Sequence, residues 1–163
     1  MAFIFQKVGR GKAEIFKILK NGSTAAIGQG RPVCYDYTTK ADGLAVIIPT
    51  TAMLSMFAGV VAHGKTLAAS GEDGEYGKVQ VYGHHASVKL GGSTVIPGSP
   101  LAPVNSTYGY MACAVTFTGT YNTTAGMNSD LIFAVAGTTG LLFATSVADS
   151  KFDTGSLAFI RAL

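Results

Sequence analysis

The chain has 163 residues, of which 48% are hydrophobic and 13% charged, with a formal net charge of +3 and a mean hydropathy of +0.34. That charged share is about half of the ordinary one, so much of the surface is expected to be hidden in contacts rather than covered by Lys and Glu. The same reading excludes a helical membrane span, because the most apolar stretch (44–61) is broken by Pro49, Thr50, Thr51, Ser55 and Gly59, and it excludes nucleic-acid binding, because Arg10, Arg31 and Arg161 are scattered with no dense basic run.

One domain of this length buries a core without help from a disulfide or a metal. In chain order, residues 1–24 read as an N-terminal arm and first strand, and residues 25–163 as a single β-barrel-like domain. Within the arm, Phe3, Phe5, Lys7, Arg10 and Lys12 stand among Gly9 and Gly11, so the segment is aromatic, basic and glycine-punctuated. Met1-Ala2-Phe3-Ile4-Phe5 precedes Lys7 and Arg10, the reverse of a secretion signal, so none is expected. Residues 13–20 have apolar side chains at 15, 16, 18 and 19. That pattern suits a helical face capped by Asn21-Gly22 or a strand opening into that turn, and the neighbouring strands favour the strand. A helical turn or two is expected after Pro49, within residues 50–57.

Alternation becomes clear further on. In Lys78-Val79-Gln80-Val81-Tyr82 the valines share one side, as in a half-buried strand. Ala86, Val88 and Leu90 repeat the pattern, with Ser87 and Lys89 opposite. Gly91-Gly92 offers a hairpin turn into Thr94-Val95-Ile96, and Pro97-Gly98 stops that run. Residues 111–118, 131–136, 141–145 and 157–163 follow as short strands bounded by Gly, Asn or Asp. The predicted class is all-β: a small barrel or sandwich of short antiparallel strands, with little helix.

Motifs that would carry chemistry are weak. Gly59-Val60-Val61-Ala62-His63-Gly64-Lys65-Thr66 fits the phosphate-loop pattern, which needs a parallel strand before it and a helix after it. Leu67-Ala68-Ala69-Ser70-Gly71 leaves room for one turn at most, and no second βα unit follows, so the match reads as coincidence. His84 and His85 are adjacent and point to opposite faces of a strand, while His63 is remote, so all three read as turn and surface residues rather than metal ligands. Glu72, Asp73 and Glu75 lie in a Gly-rich tip without the ligand spacing of a calcium loop. Cys34 and Cys113 lack basic partners and read as buried apolar residues in a reducing compartment. Asn21, Asn105 and Asn122 open glycosylation triplets that carry no weight without a secretion signal. No Gly-X-Ser-X-Gly elbow and no basic-aromatic stacking groove is present. The reading assigns no catalytic, cofactor or metal residue and expects no enzyme.

One resemblance remains. Phe57-Ala58-Gly59-Val60-Val61, a short hairpin, and Gly77-Lys78-Val79-Gln80-Val81-Tyr82-Gly83 together resemble the central block of tailed-bacteriophage capsid decoration (cement) proteins. Ala86 to Leu90 and Thr94 to Leu101 are similar to the next block, with its strand, Ile-X-Gly-X-X-Leu turn and strand. Ala26 to Val33 with Asp42-Gly43 fits the opening strands, and Phe143 to Ala148 with Phe159 to Leu163 the closing pair. The resemblance covers residues 25–163 and rests on glycines and alternation. It implies a homo-oligomer, a trimer, made in the host cytoplasm and seated on the capsid exterior of the virion. There it would bridge major capsid protein subunits, with no role for nucleic acid or membrane. The arm residues Phe3, Phe5, Lys7, Arg10 and Lys12 are then the candidate capsid contacts. The alternatives are a tail or head-fibre component, or a carbohydrate-binding β-sandwich adhesin using Tyr108, Tyr110, Tyr121 and Asn122. A nucleotidase dependent on Lys65 is a third class.

Overall fold

Glycine-punctuated alternation folds into ten strands in the computed structural model, which describes residues 4–9, 12–38, 43–90, 100–104, 110–113, 134–136 and 156–162. These are β1 (Ile4–Gly9), β2 (Lys12–Asn21), β3 (Pro32–Tyr35), β4 (Ala45–Ile47), β5 (Phe57–Val61), β6 (Tyr76–Val88), β7 (Pro100–Val104), β8 (Tyr110–Cys113), β9 (Ala134–Ala136) and β10 (Ser156–Arg161). One turn of 3-10 helix, Thr51–Met53, follows Pro49 where the sequence suggested a helical turn. The expected Gly91-Gly92 hairpin and the runs 94–96, 114–118, 131–133 and 141–145 lie outside the described residues.

All ten strands join one sheet in the order β1-β2-β4-β3-β5-β6-β10-β9-β7-β8. An additional pairing of β2 with β6 closes β2-β4-β3-β5-β6 into a ring. The sheet is mixed, which corrects the purely antiparallel expectation: β2 and β4 run parallel through Lys20↔Ala45 and Asn21↔Val46. So short a parallel seam makes an incompletely closed barrel, whose other ring pairings are antiparallel. Two strands are also long, with ten residues in β2 and thirteen in β6.

Residues 12–21 are a strand because both edges find partners. Lys12 to Lys17 pair with β1, and Ile15 to Lys20 pair with β6 on the other edge. Tertiary pairing thus settles a stretch whose local pattern suited helix or strand. β6 absorbs two runs that the sequence separates, because Gly83 continues the strand instead of ending it. Gly83 has φ +103, and a Cβ there would overlap the Ala13 carbonyl oxygen of β2. A bulge between Ile15 and Phe16 faces the same stretch, so the strand bends where β6 leaves the ring to pair with β10.

Two apolar cores result, one on each face of β5. Leu19, Ile27, Val33, Val46, Ala58, Val61, Leu67 and Val79 form the first, within the ring. Phe57, Val60, Val88, Leu90, Leu101 and Ile160 form the second, beneath β7 and β10. All five residues of β5 are buried, and burial on both faces explains why this strand reads as a continuous apolar run. An isolated bridge, Ile27↔Leu67, carries two fully buried side chains into the first core. Burying each such side chain contributes about 1.5–3 kcal/mol before ordering costs.

Candidate functional site

Three of the sequence-predicted contact residues, Phe5, Lys7 and Lys12, fall on the β1–β2 hairpin. β1 pairs with β2 from Ile4↔Lys17 through Phe5↔Phe16 and Lys7↔Glu14 to Gly9↔Lys12, so Phe5, Lys7 and Lys12 lie on strand backbone. Phe3 and Arg10 lie outside the described residues. β2 itself belongs to the ring, so the hairpin is continuous with the domain.

A second cluster was not anticipated. His84 is exposed and His85 is 1% exposed, as alternation requires of neighbours on a strand. His85 therefore corrects the surface reading given to all three histidines. Its position parity held the clue, because Val79, Val81 and Ser87, at the same parity, are buried too. The His85 Nε2 lies 2.9 Å from the Val61 carbonyl oxygen, and the Ser87 backbone N–H donates to Nδ1 at 3.1 Å. A carbonyl only accepts and an amide only donates, so the ring is neutral with its proton on Nε2. Burial lowers the His85 pKa, opposed by the Val61 hydrogen bond; the nearby His63 lowers it further and Glu14 raises it. His63, on the exposed turn after β5, places Nδ1 2.9 Å from the Ser87 hydroxyl.

The Gly28–Arg31 side closes the cluster. Gly30 donates to the Val61 carbonyl, which thereby serves both Gly30 and His85, and Lys89 N–H donates to the Gly30 carbonyl. Gly30 has φ +73, and a Cβ there would overlap the Ser87 carbonyl oxygen, so only glycine fits. Ser87 and Lys89 are buried, contrary to the half-solvated alternation read for this run. Ser87 and His63 have the spacing of a nucleophile and base, but Ser87 is 9% exposed within a ladder and offers little approach to a substrate.

On the outer face of the same strands, Phe159 lies edge-on between Tyr82 and His84, with ring centroids 5.1 Å from each. Gln80 holds this stretch of β6 by donating its amide to the Tyr82 and His84 carbonyls. The result is a half-buried aromatic ridge suited to a protein face.

The phosphate-loop match has a different geometry. Gly59 to Val61 are in antiparallel β5, and four of the amides that would cradle a phosphate are already engaged. Val61 N–H donates to Arg31, Ala62 to Lys78, Lys65 to Ala62, and Gly64 to the Gln29 side chain. Lys65 is exposed on the turn. At the acidic tip, Glu72 and Asp73 are exposed, whereas Glu75 pairs with Lys20 at 2.8 Å and accepts from the Gly71 amide. Cys34 is fully buried in β3, and burial pushes its thiol up to about 12, which suits a core residue rather than a nucleophile. Cys113 lies in β8 opposite Leu101. Tyr108, Tyr121 and Asn122 lie outside the described residues, and Tyr110 begins β8. No group of three His, Cys, Asp or Glu able to hold a metal occurs among the described residues. No family model and no curated protein matches the chain.

Proposed function

We propose that the protein is a capsid decoration protein of a tailed bacteriophage: a homo-oligomer, in trimeric form, that binds the outer surface of the shell and bridges major capsid protein subunits. The observation that carries this reading is the placement of the two sequence runs behind the resemblance. Phe57–Val61 and residues 77–83 lie in neighbouring strands, paired through Val60↔Gln80 and Val61↔Val79, within a small barrel-like ring. A cement protein needs rigidity and contact surfaces rather than chemistry. Two cores back to back on β5 supply the first, and a chain poor in charge with an aromatic ridge suits the second. The N-terminal segment with Phe3, Phe5, Lys7, Arg10 and Lys12 is the proposed clamp on the capsid. Cyclic symmetry would let identical patches seal against one another.

The test is a mass-spectrometric inventory of purified virions, joined to co-sedimentation of the purified protein with undecorated heads. The reading expects a copy number in the range of capsid lattice positions and saturable head binding by an oligomer. A few copies per particle confined to tails, or glycan binding without head binding, would overturn it.

A further inference from the structure

We infer that His85 is an acid-sensitive latch that holds the Gly28–Arg31 turn and the end of β6 onto β5 at neutral pH and releases them on protonation. This inference is independent of the proposed function. It rests on where the two ring nitrogens sit. Nε2 has only a carbonyl to meet, from Val61, and Nδ1 has only an amide, from Ser87. The neutral ring satisfies both. A doubly protonated ring directs a second N–H against the Ser87 N–H, so the Ser87 bond must break while Nε2 still donates to Val61, and the buried charge is solvated only if the strands around it open. At 1% exposure the ring is shut off from bulk solvent, which cannot replace the lost bond while the fold stays closed.

What must open to solvate that charge is a junction rather than a single contact. The Val61 carbonyl is shared with the Gly30 amide, and the Gly30 carbonyl holds the Lys89 amide. His85 therefore ties β5, β6 and the turn before β3 at one point, with Ala158 of β10 as its register partner. The ionisable groups around it come from each side. His63 on the turn after β5 and Glu14 on β2 act on it electrostatically, and Arg31 and Lys89 flank the Gly30 contact. His84 is its chain neighbour on the opposite face, and Arg161 of β10 pairs with Tyr82. His63 and His85 share Ser87, so charge gained on the exposed histidine opposes charge on the buried one.

Amide hydrogen exchange followed by NMR between pH 7.5 and 5.5, corrected for intrinsic chemistry, tests the latch. Protection at Gly30, Ser87 and Lys89 should fall by up to about tenfold, while that at Ile27 and Leu67 changes little. The variant His85→Gln keeps a donor for Val61 and an acceptor for Ser87 without titrating, and should abolish the fall. Should that variant not fold, ring-nitrogen shifts of wild-type His85 provide the second readout: Nδ1 protonation must coincide with a shift of the Ser87 amide. Unchanged protection, a uniform fall at all amides, or titration of Nδ1 without response at Ser87 would overturn the inference. So would a fall that survives in His85→Gln or disappears in His63→Gln, since the exposed histidine would then be the sensor.

Discussion

Asn21 shows how much one polar side chain can organise. It ends β2 with no exposed surface, and its amide donates to the Ala25 and Ala68 carbonyls at 2.8 Å each. Its oxygen accepts from both the backbone and the hydroxyl of Ser23. Asn21→Ala strands these groups and should cost about 2–3 kcal/mol, read as a lower urea midpoint with an unchanged slope. Asn21→Asp should cost more, because it sets a charge against two carbonyl oxygens. His85 makes the other residue-scale prediction. Its folded pKa is depressed below the usual 6.5, so the native state favours the neutral ring while the unfolded chain binds a proton. Stability from this residue is full above pH 6.5 and is lost as pH falls below that value towards the folded pKa, by up to about 1.4 kcal/mol per pH unit. Chemical denaturation at pH 7.5, 6.5 and 5.5 checks it: wild type should weaken over the last interval, and His85→Gln should weaken less.

Among the elements, the β1–β2 hairpin and the ring make separable demands on stability. β1 touches the sheet through β2 alone among the described residues, whereas β2 is also held by β6 and β4. Removing residues 2–10 should leave a cooperative β-rich fold and lower the urea midpoint less than Leu19→Ala does. The latter deletes a fully packed ring side chain at about 2–5 kcal/mol. The reverse ranking would make the hairpin part of the folding unit rather than an attachment. Legibility divides along similar lines. Val79 and Val81 announced the strand class, because they alternate with polar residues in the sequence, although Gln80 between them is buried as well. Ser87 and Lys89 misled, because burial on both faces erases alternation. Gly83 looked like a stop, since in sequence a glycine is a breaker; only the approach of Ala13 reveals the bend. Ring closure was beyond reading, because β2 chooses β6 over nearer segments by fit rather than by any local signal. The same holds for the His85 junction, assembled from residues 30, 61, 63 and 87.

At the scale of the molecule, the two cores differ in how much chain they require. Among the described residues the first draws only on those from Leu19 to Val79, while the second waits for Leu101 and for Ile160 of β10. Non-local pairing of this kind makes folding slow, in milliseconds to seconds. Pulse-labelling exchange during refolding should therefore find the Ile27 and Leu67 amides, which bridge to each other, protected before the Ala162 amide, which donates to Val81. Simultaneous protection, or Ala162 first, would mean that the cores form as one. The sequence span of the second core also bears on synthesis. When the ribosome has made the ring, the strands that will cover Phe57, Val60 and Val88 are still untranslated, and the β6 edge reserved for β10 is open. Nascent chains crowded on one polysome then display the same apolar strip and the same vacant edge to each other, a setting for mispairing between copies. Yield in the cell should depend on how quickly translation reaches Ile160, and slowing it between β6 and β10 with rare codons should turn soluble protein into aggregate without altering one residue of the finished chain.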